Sequence, residues 1–173
     1  MKIKPFDYAS IVLVHKESDF DSLKELFLEF AISIDFDLSY QGFLQELGGL
    51  AEQYNTPSGA AFLLNLHGIS VGCIGIRKIN PMVAEIKRFY IRSGSVGPKY
   101  KKMLMEVAID WARQLGIKKI RLNTQQSMAS ASKVCLETGF LEISPKLAAM
   151  SNPARMFELP IVGIEEYFST KAS

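Results

Sequence analysis

The chain has 173 residues, the size of one domain with a single hydrophobic core. Its composition, 48% hydrophobic and 22% charged, excludes collagen-like, coiled-coil and wholly disordered proteins. The net charge of +2 gives no field strong enough to indicate a nucleic-acid partner. Two cysteines and two histidines exclude a disulfide framework and a cysteine-rich zinc module, so we expect no metal site.

The sequence leads us to expect neither a secretory signal nor a membrane span. Its first residues lack the apolar run of a secretory signal, and no stretch of about eighteen apolar residues occurs. We therefore expect a cytoplasmic protein without a membrane partner.

The first third of the chain predicts one strand and two helices. A β-rich run at residues 10–14 is followed by Ser18-Asp19-Phe20-Asp21, which has the form of a capping box. Apolar residues recur at helical spacing from this box to Ile34, and again from a second cap at Ser39 to Tyr54. We expect a helix in each stretch.

The remaining elements alternate more regularly. Two β runs flank His67-Gly68 and predict a hairpin. A long amphipathic helix follows an irregular loop and ends before Gly116, and a later helix begins at a cap on Ser127 and ends at Gly139. The strands are expected at 60–66, 69–76, 82–92, 118–124, 140–143 and 156–161, and the long helix at 98–115. This order predicts one mixed α/β domain over residues 1–161 with a C-terminal tail at 162–173.

Four segments in this order carry a further pattern: EIKRFYIR at 85–92, WARQLG at 111–116, IRLNT at 120–124 and ETGF at 137–140. Together with LSYQ at 38–41 and VGCIG at 71–75, they resemble the GNAT superfamily of acyl-CoA-dependent N-acetyltransferases over roughly residues 8–161. The resemblance implies a mostly antiparallel central sheet flanked by helices, splayed between the strands at 82–92 and 118–124.

The resemblance also implies a site for acetyl-CoA as co-substrate. Main-chain groups of Phe89, Tyr90 and Ile91 would pair with the pantetheine arm, and the loop before the long helix would hold the pyrophosphate on backbone N–H groups. Asn123 and Thr124 end a strand beside the splay and either line the site or simply begin a loop.

The pyrophosphate loop departs from the family pattern. Val96, Lys99 and Lys101 occupy the three positions where the family usually has Arg or Gln, then Gly, then Gly or Ala, while Gly97 matches a common extra glycine. With Lys102, three ammonium groups lie at one helix N-terminus. Either these lysines replace part of the backbone cradle and hold a phosphate, or they form a solvated basic turn that no longer binds the cofactor.

A second departure concerns the proton donor. Many GNAT enzymes have a tyrosine four residues before the Gly-Phe pair, where it protonates the departing CoA thiolate, and here that position holds Cys135. The thiol could be a weak acid or a nucleophile, although the sequence places no base beside it. A small apolar residue packed in the core is the third interpretation.

Glu85 is the candidate general base, since it lies where several family members have a glutamate that takes a proton from the attacking amine. Strand alternation predicts that Glu85, Lys87, Phe89 and Ile91 share one face. The alternative is an ordinary sheet carboxylate paired with Lys87.

Two functions remain open from the sequence. The first is an N-acyltransferase that moves an acetyl group from acetyl-CoA to a primary amine, on a small molecule or a protein, by direct attack in a ternary complex. The second is a catalytically impaired GNAT-like protein that binds a partner or senses a CoA species. A homodimer is compatible with either function.

Overall fold

The structure is a computed structural model that describes residues 8–35, 41–124, 129–143 and 155–161. The predicted caps at Ser39 and Ser127 and the predicted tail at 162–173 lie outside the described residues. The described elements are β1 (Ala9–Leu13), α1 (Glu17–Ser33), α2 (Gln41–Gly48), α3 (Leu50–Gln53), β2 (Gly59–Leu66), β3 (Ile69–Asn80), β4 (Val83–Ile91), α4 (Pro98–Gln114), β5 (Lys119–Thr124), α5 (Ala129–Glu137), β6 (Leu141–Ile143) and β7 (Arg155–Pro160).

The described strands form one sheet in the order β1-β2-β3-β4-β5-β7-β6. Every neighbouring pair is antiparallel except β4 and β5, which run parallel. The chain crosses from β4 to β5 through α4, the helical connection that a parallel pair requires. The predicted mixed and mostly antiparallel sheet is therefore confirmed.

Two hydrophobic clusters cover the two faces of the sheet. On one face, α4 contributes Leu104, Ala108 and Trp111 to the larger cluster, so Trp111 is a core residue. On the other face, α1 contributes Leu23 and Phe27 to a smaller cluster that also contains Tyr54, Leu63 and Cys73. The sheet is thus covered on both sides, as its apolar strands require.

The boundaries of the first helices differ from the predicted ones. The cap of α1 is Lys16, two residues before the predicted Ser18, because the Asp19 carboxylate accepts the backbone N–H groups of His15 and Lys16 at 3.2 and 3.1 Å. The predicted second helix is divided into α2 and α3 at Gly49, and Leu44 on its predicted apolar face is exposed.

The predicted hairpin between β2 and β3 is confirmed. Its turn residues His67 and Gly68 have φ of 50° and 80°, the backbone of the turn that matches strand twist. β3 continues to Asn80, beyond the predicted end at residue 76, because its polar end pairs with the start of β4, where Asn80 lies opposite Val83.

The predicted alternation of faces along β4 is wrong, because the strand contains a bulge. Lys87 lies opposite Gly75 and Tyr90 opposite Cys73, so two residues of β4 span the space of one on β3. After the bulge, Phe89 and Ile91 pack against the α4 cluster and Tyr90 against the α1 cluster. Phe89 and Ile91 consequently do not share a face with Glu85, since an inserted residue reverses the side-chain alternation of everything beyond it.

Candidate active site

The strands β4 and β5 separate halfway along their length. They pair from Val83 opposite Lys119 to Ile86 opposite Leu122, and no pairing between them follows in the part of the chain that the structure describes. Beyond this point β5 stays with β7, where Thr124 lies opposite Arg155, while β4 stays with β3. The predicted splay is confirmed, and it opens a cleft through the sheet.

The cleft has an inner and an outer chamber. The inner chamber, about 270 Å³, lies at the splay, and the outer chamber, about 350 Å³, extends toward the start of α4. Both are bounded by Phe30, Ile34, Phe89 and Ala131, so they are continuous. The inner chamber is also lined by Glu85, Ile86, Lys87, Arg88, Leu122, Asn123 and Thr124, and the outer one by Ser33, Tyr90, Ile91, Ser93, Lys101 and Ser130.

The free edge of β4 faces this cleft. The Arg92 N–H donates to the Val71 carbonyl of β3 at 2.8 Å. Since successive residues of a strand direct their main-chain groups to opposite sides, those of Phe89 and Ile91 face the splay and those of Tyr90 face β3. Two sets of peptide groups are therefore available to a ligand lying between the strands.

The start of α4 forms the far end of the outer chamber. Its N-cap is Gly97 and its first residue Pro98, and the first N–H groups of a helix have no acceptors within it. Of the clustered lysines, Lys101 lines the outer chamber, while Lys102 pairs with Glu106 at 3.8 Å and Lys99 lies 4.6 Å above the Tyr100 ring. Val96 packs against the α4 cluster.

Glu85 lies in the wall of the inner chamber. Its carboxylate is 23% exposed and stands 3.6 Å from the Lys87 ammonium, which is 29% exposed. The sequence left two interpretations of Glu85 open, a group of the site and a partner of Lys87. The structure is compatible with both, because Glu85 lines the chamber and also lies beside Lys87. A carboxylate in this place can accept a proton from a ligand in the chamber.

Cys135 is fully buried in the α4 cluster and is absent from the residues that line either chamber. Burial raises the pKa of its thiol to about 12, so the thiol remains protonated at neutral pH. The nearest cleft residues on α5 are Ser130 and Ala131, one turn earlier in the helix.

The inner chamber also contains a charged group that sequence analysis missed. Arg88, in the bulge, donates to the buried carboxylate of Glu46 on α2, with 2.6 Å between Nη2 and Oε2. Tyr54 donates its hydroxyl to the other oxygen of Glu46. One signal was available: Glu46 stands at helical spacing among Phe43, Leu47 and Leu50, where an acid is buried only with a partner.

Phe30 and Ile34 were also missed as cleft residues, whereas Thr124 lies, like Asn123, at the strand end that was expected beside the splay. The first two belong to the apolar stripe of α1, and their pattern does not distinguish a core position from a chamber wall. Thr124 lies 3.4 Å from the Ser132 hydroxyl and is buried at the end of β5. Only the divergence of the strands turns these core-like residues toward a cleft.

Two kinds of feature are absent from the residues that the structure describes. Within 8–35, 41–124, 129–143 and 155–161, no group of three or more potential metal ligands occurs. None of the helices that the structure describes is long and apolar enough to cross a membrane.

A splayed sheet with a cleft ending at a helix N-terminus defines the acyl-CoA-dependent acyltransferase class that the sequence resembled. The model of the acetyltransferase (GNAT) family matches residues 21–140. This is well over half of the chain, which therefore belongs to the GNAT acetyltransferase family, whose activity is acyl transfer to amines.

Individual proteins agree with this assignment. An uncharacterised N-acetyltransferase of Schizosaccharomyces pombe is 28% identical over 138 residues, which is 79% of this chain and 85% of that protein. A GNAT-family acetyltransferase from Staphylococcus aureus superposes with a TM-score of 0.72 at 21% identity, over 88% of this chain and all of the other. RimL, a ribosomal-protein α-N-acetyltransferase solved in complex with coenzyme A, gives 0.69 at 14% identity, over 88% and 94%. The two structures show the fold that this chain shares with them.

Proposed function

We propose that this protein transfers an acetyl group from acetyl-CoA to a primary amine by direct attack within a ternary complex. The observation that carries the proposal is the cleft, which extends from the free edge of β4 to the start of α4 and contains a partly buried carboxylate, Glu85, in its inner chamber. The combination supplies a place for each reactant and a base between them.

The outer chamber and the splay fit the CoA half of the reaction. The main-chain groups of Phe89 and Ile91 at the free edge match the amides of an extended pantetheine arm, and RimL is a fold relative solved with coenzyme A. At the far end, the N–H groups of Gly97 and Lys99 and the ammonium of Lys101 provide donors for a pyrophosphate. We assign Lys99 and Lys102 a supporting, long-range electrostatic role, because each already has a partner.

The inner chamber fits the acceptor half. The amine nitrogen attacks the thioester carbonyl carbon, a C–N bond forms, the C–S bond breaks and CoA leaves with its sulfur. Glu85 takes the proton that the ammonium group must lose, directly or through one water. The Phe89 N–H faces the splay and polarises the carbonyl oxygen as negative charge develops on it.

Cys135 receives no proton-transfer step in this proposal. Its thiol is enclosed by the α4 cluster rather than by either chamber, so we propose the packing role for it. The departing CoA sulfur is protonated from solvent through the outer chamber. A Cys135→Ser variant should therefore retain turnover, and a Cys135→Tyr variant should not exceed the native protein.

Binding of the co-substrate is the first test. Calorimetric titration with acetyl-CoA should give saturable heat and a raised melting temperature. Lys101→Ala should weaken the binding about threefold to tenfold, whereas Lys133→Ala, an exposed lysine of α5 outside the cleft, should leave it unchanged. Absence of binding at millimolar acetyl-CoA would contradict the proposal and favour a binding module for another partner.

Turnover is the second test. Release of CoA thiol is measured with a panel of primary amines that includes amino acids, polyamines and peptides with free N-termini. Glu85→Gln should lower kcat about 100-fold or more while acetyl-CoA affinity is retained. Glu137→Gln, an exposed carboxylate paired with Lys133 on α5, is the matched control. If acetyl-CoA binds and no amine is acetylated, the chain is a CoA-sensing module, the second function that the sequence left open.

A further inference from the structure

The bulge of β4 holds a non-glycine residue in a rare backbone conformation. Arg88 has a φ of 56°, in the left-handed region that glycine adopts without cost and other residues avoid. It lies in the wall of the inner chamber, directly before Phe89. Such conformations persist only where surrounding contacts enforce them.

The contacts that enforce this conformation come from α1 and α2. Glu46 of α2 accepts from Arg88 Nη2 at 2.6 Å and from Nε at 3.4 Å, and the Arg88 and Glu46 side chains are 15% and 7% exposed. The guanidinium carbon lies 5.0 Å from the Phe43 ring centre and 5.9 Å from that of Phe30. Tyr54 donates to the same carboxylate, so both of its oxygens are occupied.

The charge state of Glu46 agrees with this arrangement. Burial alone would raise its pKa, but the hydrogen bonds from Arg88 and Tyr54 hold the pKa below its ordinary value. The Glu46 carboxylate is therefore ionised at neutral pH, and its bonds to Arg88 connect α2 to the bulge. An ionised pair with so little exposure is a costly way to gain stability, which points to a role in specifying one backbone geometry.

We infer that Glu46 is a positioning residue of the acyl transfer, acting through Arg88 to hold the β4 bulge that turns the Phe89 N–H toward the splay. This inference rests on the proposed function, in which that N–H polarises the thioester carbonyl. Glu46 is absent from the residues that line either chamber, so its effect on the reactants passes through Arg88, which lines the inner one. Its loss should slow the chemical step more than it weakens binding.

The first experiment removes the charge. Glu46→Gln keeps the size of the side chain but removes the charge and one of the two oxygens that accept from Arg88, and we expect kcat to fall about tenfold to 100-fold with KM for the amine changed less than about threefold. Glu46→Asp, which retains the charge, should recover part of the loss. Glu52→Gln, an exposed acid of α3, is the control that should match the native protein.

The second experiment separates positioning from direct contact with the acceptor. Glycine adopts the left-handed conformation unaided, so the double variant Glu46→Gln, Arg88→Gly should regain kcat to within about threefold of the native protein. It also removes both members of the pair and should fold even if Glu46→Gln alone does not. A double variant as slow as Glu46→Gln would overturn the inference, because it would show that the Arg88 charge itself is required.

A third measurement does not depend on turnover. Amide hydrogen exchange at Tyr90, which pairs with Cys73 of β3 directly after the bulge, should accelerate in Glu46→Gln and return toward the native rate in the double variant. If the native protein transfers no acetyl group, the proposed function fails, yet the exchange rates still decide whether Glu46 holds the bulge. Unchanged exchange at Tyr90 in Glu46→Gln would overturn the inference in either case.

Discussion

The two halves of the β4–β5 pair are built from the same strands and differ in almost every physical respect. In the first half, residues 83–86 and 119–122 are hydrogen-bonded to one another, and Ala84, Ile86 and Ile120 are buried. In the second half the strands part, β4 carries the bulge, and Lys87 and Arg88 line an open chamber. One continuous strand thus contributes core residues along its paired half and, from Glu85 onward, residues that line the site.

The difference shows how the fold creates a reactive surface without a long loop. Pairing with β5 fixes the position and twist of the first half of β4. The second half continues from it in a defined position, and its main-chain groups on the β5 side can bind a ligand. The bulge then directs Phe89 to the opposite face from Glu85. Rigidity in one half is what makes the exposed peptide groups of the other half useful, because a preorganised donor needs no reorganisation during reaction.

The paired half should carry most of the stability. Ile120→Ala removes a fully buried side chain, and we expect the free energy of unfolding to fall by about 2–5 kcal/mol in urea denaturation. Asn123→Ala, three residues further along the same strand and exposed, should change it by less than about 0.5 kcal/mol. Equal losses in the two variants would mean that the open half is as much a part of the core as the paired half.

The Glu46–Arg88 ion pair, which connects α2 to the unpaired half of β4, should break in acid. Because the folded-state pKa of Glu46 is lowered from 4.5, its stabilising contribution is complete above that value and is lost as the pH falls through the lowered pKa. We expect Glu46→Gln to be less stable than the native protein by about 3 kcal/mol near neutrality. The difference should shrink on acidification below about pH 4.5, as urea denaturation at several pH values would reveal. A difference that is independent of pH would indicate lost packing instead of a lost charge.

The fold was predictable from the sequence because its elements agree with local rules. The α4 stripe, Pro98 at its start and the hairpin turn at His67-Gly68 each specify their own geometry. The cap of α1 was misplaced, since Asp19 and the nearby serines all have the side chains of capping residues. The bulge was not predicted, because its left-handed residue is an arginine that Glu46 of α2 holds in place. A conformation that tertiary contacts impose leaves no pattern in the local sequence.

The candidate site was predictable only in part. Family resemblance directed attention to Glu85, Lys101 and Asn123, and all three line the cleft. Cys135 was named for its position in that pattern, yet the structure surrounds it with core residues. Periodicity reports which side chains face inward, but it does not distinguish a cleft wall from a core. The distinction arises where β4 and β5 part, and this depends on long-range pairing with β3 and β7.

The mouth of the cleft should be sensitive to salt. The ammonium of Lys101 is half-buried in the outer chamber, and its attraction for a pyrophosphate is screened by added ions. We expect acetyl-CoA affinity to fall with ionic strength in the native protein and to fall less steeply in Lys101→Ala. Calorimetry at low and high salt measures both slopes. Identical slopes would assign phosphate binding to the backbone N–H groups of α4 instead of the lysine side chain.

The smallest expected effect concerns the two cysteine thiols, which lie in the core and not in the cleft. Cys135 and Cys73 are fully buried, and burial raises both of their pKa values, to about 12 for Cys135. Neither should react measurably with an aromatic disulfide reagent near pH 8 until the protein unfolds, since the thiolate is the reactive form. Acetyl-CoA should leave this protection unchanged. Rapid labelling of native Cys135, suppressed by acetyl-CoA, would instead mean that α5 opens toward the cleft, and the thiol would then be within reach of the departing CoA sulfur as a proton donor.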